Sequence, residues 1–187
     1  MGREMWKPGN MLNPVPVVMI GCKGKDDEKA NIITVAWTGT ICSDPAMLSI
    51  SVRKERYSYN LIKETGEFTV NLVNRPLVRA ADFCGCRSGR DVDKFGELFL
   101  HELPSQNISA PGIKESPVVL ECKVKEIKEL GSHDMFIAEI LGVSVDDSYM
   151  DEKGKFDINN TRLVAYSHGE YFELGEKLGK FGFSVKK

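Results

Sequence analysis

The clearest hydrophobic pattern along the chain is alternation with period two, the mark of a half-buried strand. In Ala46–Val52, Ala46, Leu48, Ile50 and Val52 fall on one face and Met47, Ser49 and Ser51 on the other. Glu67–Val73 repeats the pattern with Phe68, Val70 and Leu72 inward. Val118–Ile127 alternates at its centre, Leu120, Cys122 and Val124 against Glu121, Lys123 and Lys125. Val15–Cys22, Ile32–Trp37 and Met135–Val145 are more continuously apolar and read as further strands; Pro16 puts the first at the start or edge of a sheet. Arg162–Tyr166 is the last expected strand. The charged stretch Lys23–Lys29 reads as a hairpin turn, and Ser43-Asp44-Pro45 and Leu130–Asp134 as tight connections. Thr38-Gly39-Thr40 reads as a small polar segment between strands.

Two segments switch to helical spacing. Glu55–Thr65 reads as a short helix stopped by Gly66. Asn74 is expected to cap a second, with Pro76 in its first turn and Leu77, Ala80, Ala81 and Cys84 as its apolar stripe. Arg87–Phe95 is polar and Gly-punctuated, a loop. Gly96–Pro117, with its three prolines, is expected to wrap the outside, and Gly175–Lys187 to lie on the surface. Hairpin signals dominate and alternating βα units are absent, so the pattern predicts a mainly β protein, a closed or partly closed antiparallel barrel with a few short helices.

The 187 residues suffice for one domain, 1–187, with a substantial core. A formal charge of −2, from 25 basic and 27 acidic residues, gives no global field for nucleic acid. No apolar run approaches the roughly 18 residues of a membrane span, and the first residues lack a secretory apolar region, so the expected setting is cytoplasmic, with no membrane partner. Cys22, Cys42, Cys84, Cys86 and Cys122 are scattered and read as reduced, free thiols.

Phosphate-loop, dinucleotide, zinc-protease and serine-hydrolase motifs are all missing. His101, His133 and His168 are too scattered to suggest a metal site, and no carboxylate pair suggests an acid–base couple; no catalytic side chain is assigned. What remains is a constellation between Asn31 and Ile62. Hydroxyls at Thr38, Thr40, Ser49, Ser51 and Ser58 lie near Trp37, and Arg53, Lys54 and Arg56 precede a helix start. Cations before free helical N–H groups make an anion site, and an indole beside them suits a flat aromatic ligand.

These residues resemble those of the flavin reductase-like proteins, which have an FMN-binding split barrel, and of their flavoredoxin branch. The resemblance rests on Asn31-x-x-Thr34-x-Ala36-Trp37, Ser43-Asp44-Pro45, Ser51-Val52-Arg53-Lys54 with Tyr57-Ser58, and Phe68-x-Val70-Asn71. Ser88–Phe95, Gly131–Phe136, and Tyr166 with Gly169-Glu170-Tyr171 extend it. It implies a six-stranded Greek-key split barrel, usually a homodimer, whose partners are FMN and either NAD(P)H or a redox protein. By position, Asn31, Trp37 and Thr38 would line the isoalloxazine, and Ala36 beside Trp37 would be a further cofactor-binding residue. Ser58 and Lys94, with Arg53 or Lys54, would hold the phosphate; His133 and Tyr166 would lie by the flavin. Ala36-Trp37 stands where many relatives carry two serines, which points to the flavoredoxin branch, and Ser132 replaces the usual Asp of a Gly-Asp-His turn. A pyridoxamine-phosphate-oxidase-like split barrel and a non-catalytic binding barrel are the competing readings.

Overall fold

The computed structural model describes residues 2–25 and 29–185. Residues 26–28 of the expected charged turn, and the terminal residues 1, 186 and 187, lie outside it. The strands are β1 (Val15–Pro16), β2 (Val18–Cys22), β3 (Asn31–Val35), β4 (Thr38–Ser43) and β5 (Ala46–Val52). Helix α1 (Tyr57–Thr65) is followed by β6 (Glu67–Leu72), α2 (Val78–Cys86) and the single-turn α3 (Lys94–Glu97). After these come β7 (Glu102–Leu103), β8 (Gly112–Ile113), β9 (Val118–Glu129), β10 (Asp134–Val145), β11 (Val164–Ser167) and β12 (Glu170–Glu173).

Seven strands form one antiparallel sheet in the order β3-β2-β6-β9-β10-β5-β4. Its two edge strands are consecutive in the chain, with only Ala36 and Trp37 between them. Laid flat, seven strands at a spacing of about 4.8 Å would separate the edges by about 29 Å. The Val35-to-Thr38 connection reaches at most about 11 Å. The sheet therefore has to roll up until its edges meet; the Ser51 N–H, donating to the Trp37 carbonyl (2.8 Å), carries the β4–β5 ladder on into the link. The result is a split barrel of mainly β structure with a few short helices.

Two apolar clusters follow from strand alternation. Val18, Ile20, Ile50, Phe68, Val70 and Phe136 fill the barrel. Met19 and Ile32, on the opposite faces of β2 and β3, pack with Val17 under Leu77, Ala81 and Cys84 of the second helical region. That double coverage explains why β2 is buried at every position.

The structure departs from the sequence expectations in five places. The main sheet has seven strands, not six, because the polar segment after Trp37 is β4. Its Thr38 hydroxyl donates to the Ser49 carbonyl (2.8 Å), so polarity there serves strand pairing. The apolar run Val15–Cys22 divides at Val17: β1 leaves the barrel to pair with β11, and β12 completes that three-stranded sheet. The strand expected at Arg162–Tyr166 begins at Val164, as β11 of that sheet, since Arg162 is left-handed (φ 58°). Asn74 precedes a 3₁₀ turn, Arg75–Leu77, and its side chain caps nothing; the Leu77 N–H goes to the Asn74 carbonyl (3.0 Å). Finally, residues 110–113 do not wrap the outside but are buried. They seal the polar face of β6, where Thr69 donates to the Pro111 carbonyl (2.8 Å) and Asn71 Oδ1 accepts from the Ile113 N–H (2.7 Å).

Candidate functional site

The barrel seam opens into a cleft of about 390 Å³, within the roughly 300–1,000 Å³ range of small-molecule sites. The β3–β4 link supplies Ala36 and Trp37 as one wall, and Tyr166 and Tyr171 stand on the other. The two tyrosines meet edge to face, centroids 5.6 Å apart, and the Tyr171 hydroxyl donates to Asp82 (3.1 Å), which fixes the pair on α2. Arg53, Arg56 and His133 stand at the rim. Burial and the guanidinium of Arg53 hold His133 below the ordinary imidazole value, so it is neutral at pH 7; its Nδ1 lies 2.9 Å from the Ser132 hydroxyl.

A second cavity of about 130 Å³ adjoins the first, sharing Ile33 and Arg56 as walls. Its lining is of a different kind. Arg56, Arg87, Arg90 and Lys94 face it against one carboxylate, Glu55, so the local field is positive although the chain as a whole carries −2. Helix α1 begins here. Arg56 is its N-cap residue and no side chain caps the first turn, so its leading N–H groups are available to an anion. Ser58, buried in that turn, accepts a hydrogen bond from Asn31 Nδ2 (2.7 Å). The loop Arg87–Asp93 closes the cavity from outside: the Arg90 guanidinium lies 5.5 Å from the Tyr57 ring centroid and donates to the Glu55 carbonyl (3.2 Å).

Lys94 is the least ordinary of these groups. It sits in the first turn of α3, not in a loop, and is only 3% exposed. Its Nζ donates to the carbonyls of Ile32 (2.6 Å) and Cys84 (2.9 Å). Burial lowers its pKa.

The sequence-derived candidates thus divide into groups. Ala36, Trp37, Arg53, His133 and Tyr166 line the larger cleft; Asn31, Ser58 and Lys94 line the smaller cavity. Asn31 therefore lies beside Ser58 and not with Trp37. Thr38 lines neither cavity, its hydroxyl being committed to the sheet. Lys54 lines neither as well: its ammonium pairs with Glu129 (3.1 Å) and Asp134 (3.5 Å) on the far side of the turn. Arg56, one of the three cations read from its place before the helix start, lines both cavities. Arg87 and Arg90 carried no such signal, because loop contacts depend on tertiary placement.

Known proteins share this fold. The family model described as the flavin reductase like domain matches residues 11–175. Flavoredoxin of Desulfovibrio vulgaris (Miyazaki F) is 34% identical, with a TM-score of 0.90 over 99% of this chain and 100% of that one. Flavoredoxin from Methanosarcina acetivorans is 29% identical, with a TM-score of 0.87 over the same shares of each chain.

Proposed function

Because the chain belongs to the flavin reductase-like domain family, we propose that it is an FMN-binding oxidoreductase of the flavoredoxin kind. The observation that carries this reading is the contact between two unlike cavities: an aromatic-walled cleft sharing Ile33 and Arg56 with a small cationic one. FMN has the same division, a flat ring system and a phosphate of about −2 charge. The fit favours FMN over FAD, since 130 Å³ leaves little room beyond a phosphate.

Ala36, Trp37, Tyr166 and Tyr171 would hold the ring system, and Ser58, Arg56 and Lys94 the phosphate. Flavin, when bound, supplies the redox chemistry itself. The protein's part is to bind, orient and exclude water. Arg56 stands where ring and phosphate regions meet, so one side chain can register both. His133, neutral at pH 7, can donate or accept a hydrogen bond at the cleft rim without adding a charge. Electrons would come from NAD(P)H or from a redox protein reaching the open side of the cleft.

The test is titration of flavins into the apo-protein. Stoichiometric FMN binding with quenched fluorescence is expected, with riboflavin weaker by about ten- to a hundredfold for want of the charge-assisted contacts. Equal affinity for the two would refute the phosphate assignment, and no binding of either would refute the flavin reading.

We further propose that the protein acts as one domain and as a homodimer in a reducing, cytoplasmic setting. The five cysteines are all free, and among the described residues no helix is long and apolar enough to cross a membrane. Trp6 (76% exposed), Leu12 (85%) and Phe181 (107%) on the two terminal segments, with Phe99 (85%), are large apolar side chains that a second copy would cover. Sedimentation at micromolar concentration should give twice the chain mass; a monomer there would contradict it.

A further inference from the structure

One buried acid is used by nothing described so far. Asp134 is fully buried at the start of β10. Its Oδ2 accepts a hydrogen bond from the Tyr59 hydroxyl (2.6 Å). Its Oδ1 receives no directed hydrogen bond among the described residues, and the Lys54 ammonium lies 3.5 Å away. A buried carboxylate with one oxygen left undirected is costly to keep, so the core gains something other than packing from an acid here.

Its partners indicate what. Each of the three residues is the chain neighbour of a site residue. Lys54 follows Arg53 in the turn that Arg56 closes, its N–H donating to the Arg53 carbonyl (3.1 Å). Tyr59 follows Ser58 in the first turn of α1. Asp134 itself follows His133. Three separate segments, the end of β5, the start of α1 and the turn before β10, carry the cations and hydroxyl of the site, and Asp134 touches all three. Sheet pairing joins two of them already, with Asp134 opposite Val52. The helix has no such link, and the Tyr59–Asp134 bond provides it. Tyr59 also stacks edge to face on Phe136, centroids 5.5 Å apart, so its ring is held in place.

We propose that Asp134 is a positioning residue: through Tyr59 and Lys54 it locks α1, the Arg53–Arg56 turn and the His133 turn into the arrangement that binds the ligand's anionic group. The Lys54 contact is half-exposed and contributes less than the buried Tyr59 bond. This inference rests on the flavin reading only for what the anionic group is; the locking of the segments is a property of the apo-protein.

The test uses Tyr59→Phe, which removes one hydroxyl from a packed ring, with Asp134→Asn as the second variant. Two readouts are needed. The first is the imidazole titration of His133 by NMR in the apo-protein. His133 is held low by burial and by Arg53, with Arg56 adding and Glu55 opposing; if the lock is lost, its midpoint should rise toward the ordinary value. The second is the preference for FMN over riboflavin, which should fall roughly three- to tenfold, the scale of one hydrogen bond. A merely structural role would lower the melting temperature and weaken both flavins alike. An unmoved His133 midpoint in folded Tyr59→Phe overturns the proposal. If the wild type binds no flavin, the flavin reading fails and the His133 midpoint alone decides this one. If Asp134→Asn does not fold, Tyr59→Phe carries the result.

Discussion

Replacing Lys94 by methionine is expected to weaken FMN binding about ten- to a hundredfold, the equivalent of ~1.5–3 kcal/mol, and to leave riboflavin binding nearly unchanged. An ammonium has three donors. Two are taken by the Ile32 and Cys84 carbonyls, and the third is left at the smaller cavity that Lys94 lines. A buried cation held only by neutral carbonyls is short of countercharge, so a phosphate entering that cavity gains from it and relieves it at once. Methionine keeps the volume and removes the charge. Two effects on the apo-protein then oppose each other. The two carbonyls lose their donor, at about 1 kcal/mol each, while the desolvation cost of the charge disappears. The melting temperature should therefore move little, and a large loss of riboflavin binding would instead signal collapse of the cavity. Unchanged FMN affinity would remove Lys94 from the site.

How far the chain could be read before its structure was known depended on whether a signal was local. Alternation in Ala46–Val52 and Glu67–Leu72 placed β5 and β6 within a residue, and Gly66 stops α1 in the left-handed conformation expected of it (φ 68°). β4 was hidden because Thr38, Gly39 and Thr40 are poor in apolar surface. It is an edge strand, half-exposed to exposed along its length, so nothing selects hydrophobic alternation there. The burial of residues 110–113 was hidden for the opposite reason. Prolines suggest a surface segment, whereas here the Pro111 carbonyl and the Ile113 N–H satisfy the inward polar side chains of β6, a pairing 42 residues apart that no local pattern carries.

The site shows the same division. Trp37 and Ala36 were read as the end of a strand and placed at the site by the resemblance, and Ser58 by its place near a helix start; in the structure the first two form the link between β3 and β4. Lys54 is in sequence one of three cations before that helix, but side chains of adjacent residues in a turn diverge, and Lys54 goes to Glu129 and Asp134 while Arg53 and Arg56 line the cleft. Asn31 lines the smaller cavity, apart from Trp37, because β3 runs along both. Its first residue reaches Ser58, and its last, Val35, reaches the seam.

The larger expected effect comes from a residue with no side chain. Gly89, in the loop over the smaller cavity, lies so close to its neighbours that a Cβ there would strike Asn31 Oδ1, come within 2.6 Å of Asn31 Cγ and 2.8 Å of the Tyr57 ring. Neither neighbour yields cheaply. Asn31 is buried and tied to Ser58, and the Tyr57 ring carries the Arg90 guanidinium on its face. In Gly89→Ala the loop has to move, and in Gly89→Val it has to move further. The backbone angle is not the reason, since Gly89 is not left-handed. Displacing the loop takes Arg87 and Arg90 from the cavity and breaks the Asn31–Ser58 alignment, a misplacement of an ångström or more at a charge-recognition site, which costs on the order of a hundredfold. Gly89→Val should thus bind FMN at least about a hundredfold more weakly and lose most of its preference over riboflavin. The loop packs outside both apolar clusters, so the melting temperature should fall by only a few degrees, about the effect of ~1 kcal/mol in a domain of this size. Measured together, affinity and melting separate the outcomes: a Gly89→Val protein that keeps its FMN preference would show that the loop is not part of the phosphate site.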